Sequence, residues 1–438
     1  MIFSPNAIWQ KNNLRAVFLT AVVLFSGTFP ATTHAETVLP AWAEEWLPTG
    51  SLRGSYWNMK HNASGANDIG NADLWLKITP HLTENITLVA EGWARASTTP
   101  TSANISNSTQ TISRLREGYL NTSYGAADFR IGKQIIVWGR ADQLNPTDNL
   151  SPRDNSQLFV EPDDQRHGTI AAKATYNFTN TFSGLAASAI WLPVFRPNIQ
   201  PISPPAGISF TEIIPTKDQY AFKLEQTGRE IDWSLSYFNG YDLNPDLGPR
   251  TPQNLALNHH HIQVLGTDAA TVIGRYGVRS EIAYTWTEDK SGDDPFTKNP
   301  FLYWVTGADK TFLEYLNINL QYFARRVADF QHPTTISNPQ LQPIAIQQSI
   351  ISSQQDSFQQ GVSLRIANKW FNETLDAELA AIYNFTRQDY LLRPKISYAF
   401  NDHWRGNLGA NIFRGENGTF FGLLKDRSTA FAEIRYGF

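Results

Sequence analysis

The residues best placed to act on a solute lie close together, in "IVWGRADQLNPTDNLSPRDNSQLFVEPDDQR" at 136–166. This stretch carries Arg140, Asp142, Asp148, Arg153, Asp154, Glu161, Asp163, Asp164 and Arg166, with prolines at 146, 152 and 162. Charges of both signs on a long loop suit filtering of solutes by size and charge. The alternative is an ordinary surface loop whose Asn, Asp and Pro only build turns. A second cluster, "NHHH" at 258–261, suggests a metal. Adjacent strand residues point to opposite faces, so at most His259 and His261 converge. Two imidazoles with no carboxylate in view make a poor site, and they read instead as strand-rim residues. A hydrolase would need a nucleophile, a base and an orienter on one wall, and no spacing picks them out. No catalytic residue, metal site or cofactor is therefore expected. With no cysteine there is no disulfide frame and no thiolate chemistry.

The elements that must carry these residues alternate with period two. Tyr220, Phe222 and Leu224 oppose Ala221, Lys223 and Glu225, and Ile231, Trp233, Leu235 and Tyr237 oppose Asp232, Ser234 and Ser236. Leu316, Ile318, Leu320 and Tyr322 face away from Asn317, Asn319 and Gln321, as Leu392, Pro394, Ile396, Tyr398 and Phe400 do from Arg393, Lys395 and Ser397. "FAEIRYGF" at 431–438 sets Ala432, Ile434, Tyr436 and Phe438 against Phe431, Glu433 and Arg435. Each strand thus has a greasy face and a polar one. Strands of roughly nine to thirteen residues are long enough to cross a membrane at a tilt.

Connections alternate as well. Short turns are predicted at 82–86, 124–128, 177–181, 226–230, 266–271, 307–311, 368–373 and 400–404. Longer segments are predicted near 59–69, 97–111, 135–165, 192–217, 239–257, 288–298, 327–354, 386–389 and 415–427. Tight turns at one end and long loops at the other are the layout of an outer-membrane barrel. Eight turns and nine loops join eighteen strands, in an all-β, antiparallel up-and-down barrel. The last strand is expected to close on the first near 50–58. The apolar face of 431–438 would then meet lipid, with Phe438 in an aromatic girdle.

Residues 1–35 read as a secretory signal peptide: Lys11 and Arg15, then the ten apolar residues "AVFLTAVVLF", then "THA". Ten apolar residues are too short to span a bilayer. Residues 36–49 read as a short periplasmic lead-in and 50–438 as the barrel. A net charge of −4 does not suggest a nucleic-acid partner. Mean hydropathy of −0.34 is unremarkable, yet 13% aromatic residues suit a barrel with aromatic girdles.

Candidate pore-lining and constriction residues follow from loop and wall together: Arg140, Asp142, Asp148, Arg153 and Asp154 on the loop, and Arg275, Arg279, Arg393, Lys395, Arg405 and Arg435 on inward strand faces. Glu225, Asp232, Glu281, Asp376, Glu378 and Glu433 balance them, so the expected field is weak. Arg393, Lys395, Arg405 and Arg435 fall on the last three strands and could form a local basic strip favouring anions.

"SRLREGYLNTSYGAADFRIGKQIIVWGRADQLNPTDNLSPRD" (113–154) resembles bacterial outer-membrane porin-like barrels of the alginate-export and related types. The shared elements are Arg116, Glu117 and Tyr119, a tight turn, then Gly132, Lys133 and Gln134 leading to Trp138 and Gly139. "LRPKISYAFNDHW…FFGLL" and "FAEIRYGF" are similar to the last strands of such barrels. The resemblance implies a channel in the outer membrane, with membrane lipid around it and small hydrophilic solutes within. It also implies uptake by the barrel-assembly machinery through the C-terminal strand. The alternative is a polymer-export or assembly barrel acting with a periplasmic partner.

Overall fold

The computed structural model describes residues 44–59, 68–100, 107–178, 183–200 and 204–438. Residues 45–438 form one compact unit. The expected signal peptide lies outside the described residues, as do most of the lead-in and parts of the segments near 59–69, 97–111 and 177–181.

Eighteen antiparallel strands follow one another around a closed wall in chain order, from Thr49–Met59 to Thr429–Gly437. A short extra strand, His81–Thr83, pairs beside Ile86–Pro100. The last strand pairs with the first, with Arg53 opposite Arg435 and Trp57 opposite Phe431. Gly50 and Phe438 extend the seam by exchanging backbone hydrogen bonds at 2.9 and 3.1 Å. Closure leaves the wall without a free edge, so each wall strand is paired on both sides.

Period-two patterning accounts for the two faces. Phe222 and Leu235 are about half exposed on the outside, whereas their neighbours Ala221 and Ser234 are fully buried. Ile396, Leu408, Ile434 and Phe438 likewise form part of an outward apolar belt. Aromatic pairs rim it: Tyr398 with Phe400 and Tyr176 with Phe178 at the short-turn end, Tyr284 with Trp286 and Tyr383 with Phe385 at the other. Rings with a polar edge and an apolar body suit the boundary between hydrocarbon and water.

Two turns are displaced from their predicted positions. Residues 266–271 lie within the strand His261–Ile273, and the turn is Gly274–Arg275. Residues 307–311 lie within Phe301–Phe312, and the turn follows at Leu313, with Leu313 and Glu314 at positive φ. Gly266 and Gly307 are packing gaps rather than turn formers. A Cβ on Gly266 would come within 2.3 Å of Thr147, and one on Gly307 within 2.5 Å of Gln321. The predicted loop at 386–389 is also only a tight connection between Leu375–Asn384 and Asp389–Ala399.

The long-loop end carries its own structure. A three-stranded sheet (Ser209–Ile213, Asp246–Thr251 and Asn254–Asn258) packs near the helix Gln342–Ile351. Fully buried Asp246 joins three segments, accepting from His260 Nδ1 at 2.8 Å and Gln348 Nε2 at 2.5 Å and pairing with Lys298 Nζ at 2.9 Å. Burial pushes its carboxyl up, but Lys298 and His260 outweigh that and hold it below the ordinary range. Among the described residues no helix is long and apolar enough to cross a membrane.

Candidate functional site: a segment seated inside the barrel

Between the strands Ala127–Gln134 and Thr169–Asn177 the chain turns inward and touches inner-wall residues on both sides of the barrel. Its first half has a dry seat. Ile136, Trp138 and Leu150 pack with Ala171, Ile190, Leu192, Ala221, Phe238, Ile262, Val264 and Ala283, the inward apolar residues of six strands. Beyond this seat stands Glu281, 1% exposed, which gathers four donors from the segment. The backbone N–H groups of Arg140, Ala141 and Thr147 donate at 3.1, 3.2 and 2.7 Å, and the Thr147 hydroxyl at 2.8 Å.

The second half is seated opposite. Phe159 meets Trp75 and Trp93 edge-on at 5.8 and 5.5 Å, beneath the Arg95 guanidinium at 4.2 Å. Val160 packs with Trp57 and Phe431 across the seam. The strands bearing Trp75 and Glu281 stand nine places apart in the ring of eighteen, which is diametrically across it. The segment therefore runs across the lumen.

Ion pairs fix its charged residues to the wall. Arg140 Nε donates to Asp268 at 2.6 Å, and Asn319 donates to Asp142 at 3.2 Å. Arg114 reaches Asp154 at 3.2 Å, Arg53 reaches Asp164 at 2.6 Å, and Lys395 holds Glu161 at 2.8 Å. Within the segment Arg166 pairs with Asp148 at 2.6 Å. Burial pushes the Asp148 carboxyl above the ordinary range despite that arginine. Arg153 lies near Asp163 at 3.9 Å, and its backbone N–H donates to Asn198 of the next long loop.

The inward segment, the dry inner seat and the apolar outer belt together define a membrane barrel with a part-filled lumen. The chain has the fold of an outer-membrane channel. Solved structures agree with this. Pseudomonas aeruginosa OccK5 (OpdH) is 11% identical with a TM-score of 0.51, over 89% of this chain and 96% of that one. P. aeruginosa OpdK, crystallised with vanillate, is 10% identical with a TM-score of 0.52, over 89% and 98%. Acinetobacter baumannii OccAB4 is 12% identical with a TM-score of 0.50, over 89% and 97%. At such identities the likeness is one of fold. The sequence matches no family model and no curated protein. The closed wall and its outward apolar belt belong to a barrel of the cell outer membrane.

The wall residues named from the sequence are placed unequally. Arg279 faces inward and is joined to Asp309 of the neighbouring strand. Arg275 is not on the wall: it sits exposed in the turn after Gly274, because the preceding strand runs through the predicted turn at 266–271 to Ile273. Arg393 donates to the Val160 carbonyl at 3.4 Å, and Lys395 is taken up by Glu161, so half of the basic strip serves the segment. Arg405 and Arg435 are directly opposite in register, and Arg435 is opposite Arg53. Three guanidinium-bearing residues thus line up across neighbouring strands, with only Arg53 paired to a carboxylate among the described residues.

Several contributors were not singled out. Asp268 falls in a stretch that reads as a turn, and Glu281 reads as one inward acid among several. Arg53, Asp73 and Arg95 stand in register on the first three strands, Asp73 and Arg95 being joined at 2.6 and 2.7 Å and both buried. The available signal was a tryptophan or arginine on the polar-facing parity of the first three strands. His259, His260 and His261 diverge: they bond to Glu212, Asp246 and Asn239 respectively.

Proposed function

We propose that the chain is a passive channel for small hydrophilic solutes, with the 136–166 segment as its constriction. The observation that carries this reading is the four-donor clasp between Glu281 and residues 140–147, which holds the segment and its charged side chains against the inner wall. Solutes would pass down their gradient between the segment and the wall, filtered by size and by the charges of Arg140, Asp142 and Arg153, because the Asp148 and Asp154 side chains are largely buried against Arg166 and Arg114. Arg405 and Arg435 would add a weak preference for anions, because Arg393 and Lys395 are already engaged. The mixed lining favours small solutes over a polyanionic polysaccharide of the alginate kind. Residues 1–35 would serve as the export signal, and the terminal strand as the part taken up by the assembly machinery.

Single-channel conductance of the folded protein in a planar bilayer tests this reading, with and without residues 140–160. The expected result is a steady conductance that rises on deletion. A silent barrel, or a conductance unmoved by deletion, would refute the constriction.

A further inference from the structure

We propose that a luminal cavity beside Arg325 is a binding site for a neutral hydroxylated ring, a sugar. This deepens the channel reading and rests on it for the route by which the ligand arrives. The cavity measures about 260 Å³ and lies where Leu144 of the inner segment approaches the wall. The strands Phe301–Phe312, Leu316–Val327, Phe358–Trp370, Leu375–Asn384 and Asp389–Ala399 contribute to its lining, together with residues of the long loops.

Two lining donors are spare. Arg325 Nε and Gln359 Nε2 are shielded from solvent and have no hydrogen-bond partner among the described residues. Other parts of Arg325 are engaged. Its Nη1 donates to the carbonyls of Ser352 and Ser353 at 3.1 and 3.0 Å, and its guanidinium lies over Phe301 and Tyr303 at 4.8 and 4.7 Å. A buried donor without a partner is costly, so a ligand whose acceptor oxygens draw these two side chains to the cavity surface is favoured.

Formal charges in and beside the lining balance, Arg325 and Arg387 against Asp389 and Asp356, which leaves no excess positive charge for an anion. Arg387 is neutralised by Asp356 at 2.6 Å. Asp389 lines the same cavity, accepting from Asn384 and from the Phe421 N–H at 2.6 and 2.7 Å, and a carboxylate ligand would meet its charge. Glutamine side chains and the rings of Phe323 and Phe421 complete the surface. Spare donors, amides and aromatic rings around a space of this size suit hydroxyls on one edge of a ring and C–H groups on its face. The convergence of a few polar groups in a mostly apolar concavity is the usual build of a small-molecule site.

The test uses the folded full-length barrel in detergent, titrated calorimetrically with D-glucose and, in parallel, with benzoate. Glucose is expected to bind and benzoate not. Gln359→Leu and Arg325→Lys, the latter keeping the charge, are each expected to weaken glucose about fivefold, the value of one hydrogen bond. Heat-modifiable migration on gels confirms that both variants are folded. Binding of benzoate without glucose, or glucose affinity unchanged in both variants, would overturn the site. Conductance of the same preparations separates the two readings. A conducting barrel that ignores glucose loses only the sugar site, whereas a silent barrel that binds it keeps the site and loses the channel.

Discussion

Glu281 closes on Thr147 from across the barrel wall, its Oε1 accepting both the backbone N–H at 2.7 Å and the hydroxyl at 2.8 Å. Hydrogen bonds to a charged group contribute about 1.5–3 kcal/mol each. Glu281→Ala removes four acceptor contacts and strands their donors in a dry place. The barrel should still close, because its seam and ladders lie elsewhere. Single-channel conductance should rise and become noisier, and trypsin should begin to cut at Arg140. An unchanged conductance together with an uncut segment would show that the apolar seat suffices without the clasp.

The same junction makes a glycine obligatory. Gly139 has φ +91°, and a Cβ there would lie 2.4 Å from Glu281 Oε2. Both the backbone conformation and the space exclude a side chain. Gly139→Ala should reproduce the open, noisy conductance of Glu281→Ala without altering a charge. The double variant should be no worse than either single one, since both break one junction.

The wall was legible and the docking was not, for a physical reason. A membrane strand must satisfy every backbone group through its neighbours and put an apolar residue outward at every second position, so its pattern is written locally in "YAFKLE" or "FAEIRYGF". A long loop's course is set by partners far away in sequence. Thr147 meets Glu281, and Lys395 meets Glu161, with nothing in the local pattern of either to announce the pair. Glycine misled twice for a related reason. Gly266 and Gly307 open two stretches predicted as turns, but each is small because Thr147 or Gln321 approaches its backbone.

His167 should make the segment's seating sensitive to acid. Burial and the nearby Arg114 push its pKa down to about 4, against the pull of Asp154 3.9 Å away. A histidine released to water titrates near 6.5. Above that pH neither state is charged and seating is unaffected. As pH falls from 6.5 towards 4 the released state takes up a proton that the seated state refuses, so seating weakens by about 1.4 kcal/mol per pH unit and loses nothing further below about 4. Conductance followed from pH 7 to pH 4 should rise across that window. His167→Gln should flatten the rise, and an equally steep profile in that variant would assign the effect to another group.

Ion preference should turn on the arginine row. Arg405, Arg435 and Arg53 are in register on three neighbouring strands, and Asp164 neutralises only Arg53. Arg435→Glu replaces a positive charge with a negative one where Arg53 and Arg405 flank it, and so reverses the sign at the middle of the row. Reversal potential in a KCl gradient should then move towards cation preference. Screening fixes how the shift must behave. Charges facing an aqueous lumen act over about 10 Å at 0.1 M salt and about 3 Å at 1 M. The shift should therefore be large in dilute KCl and shrink in concentrated KCl. A shift independent of salt would mean that Arg435→Glu had moved the inner segment, through Arg53 and Asp164, instead of changing the field that a passing ion meets.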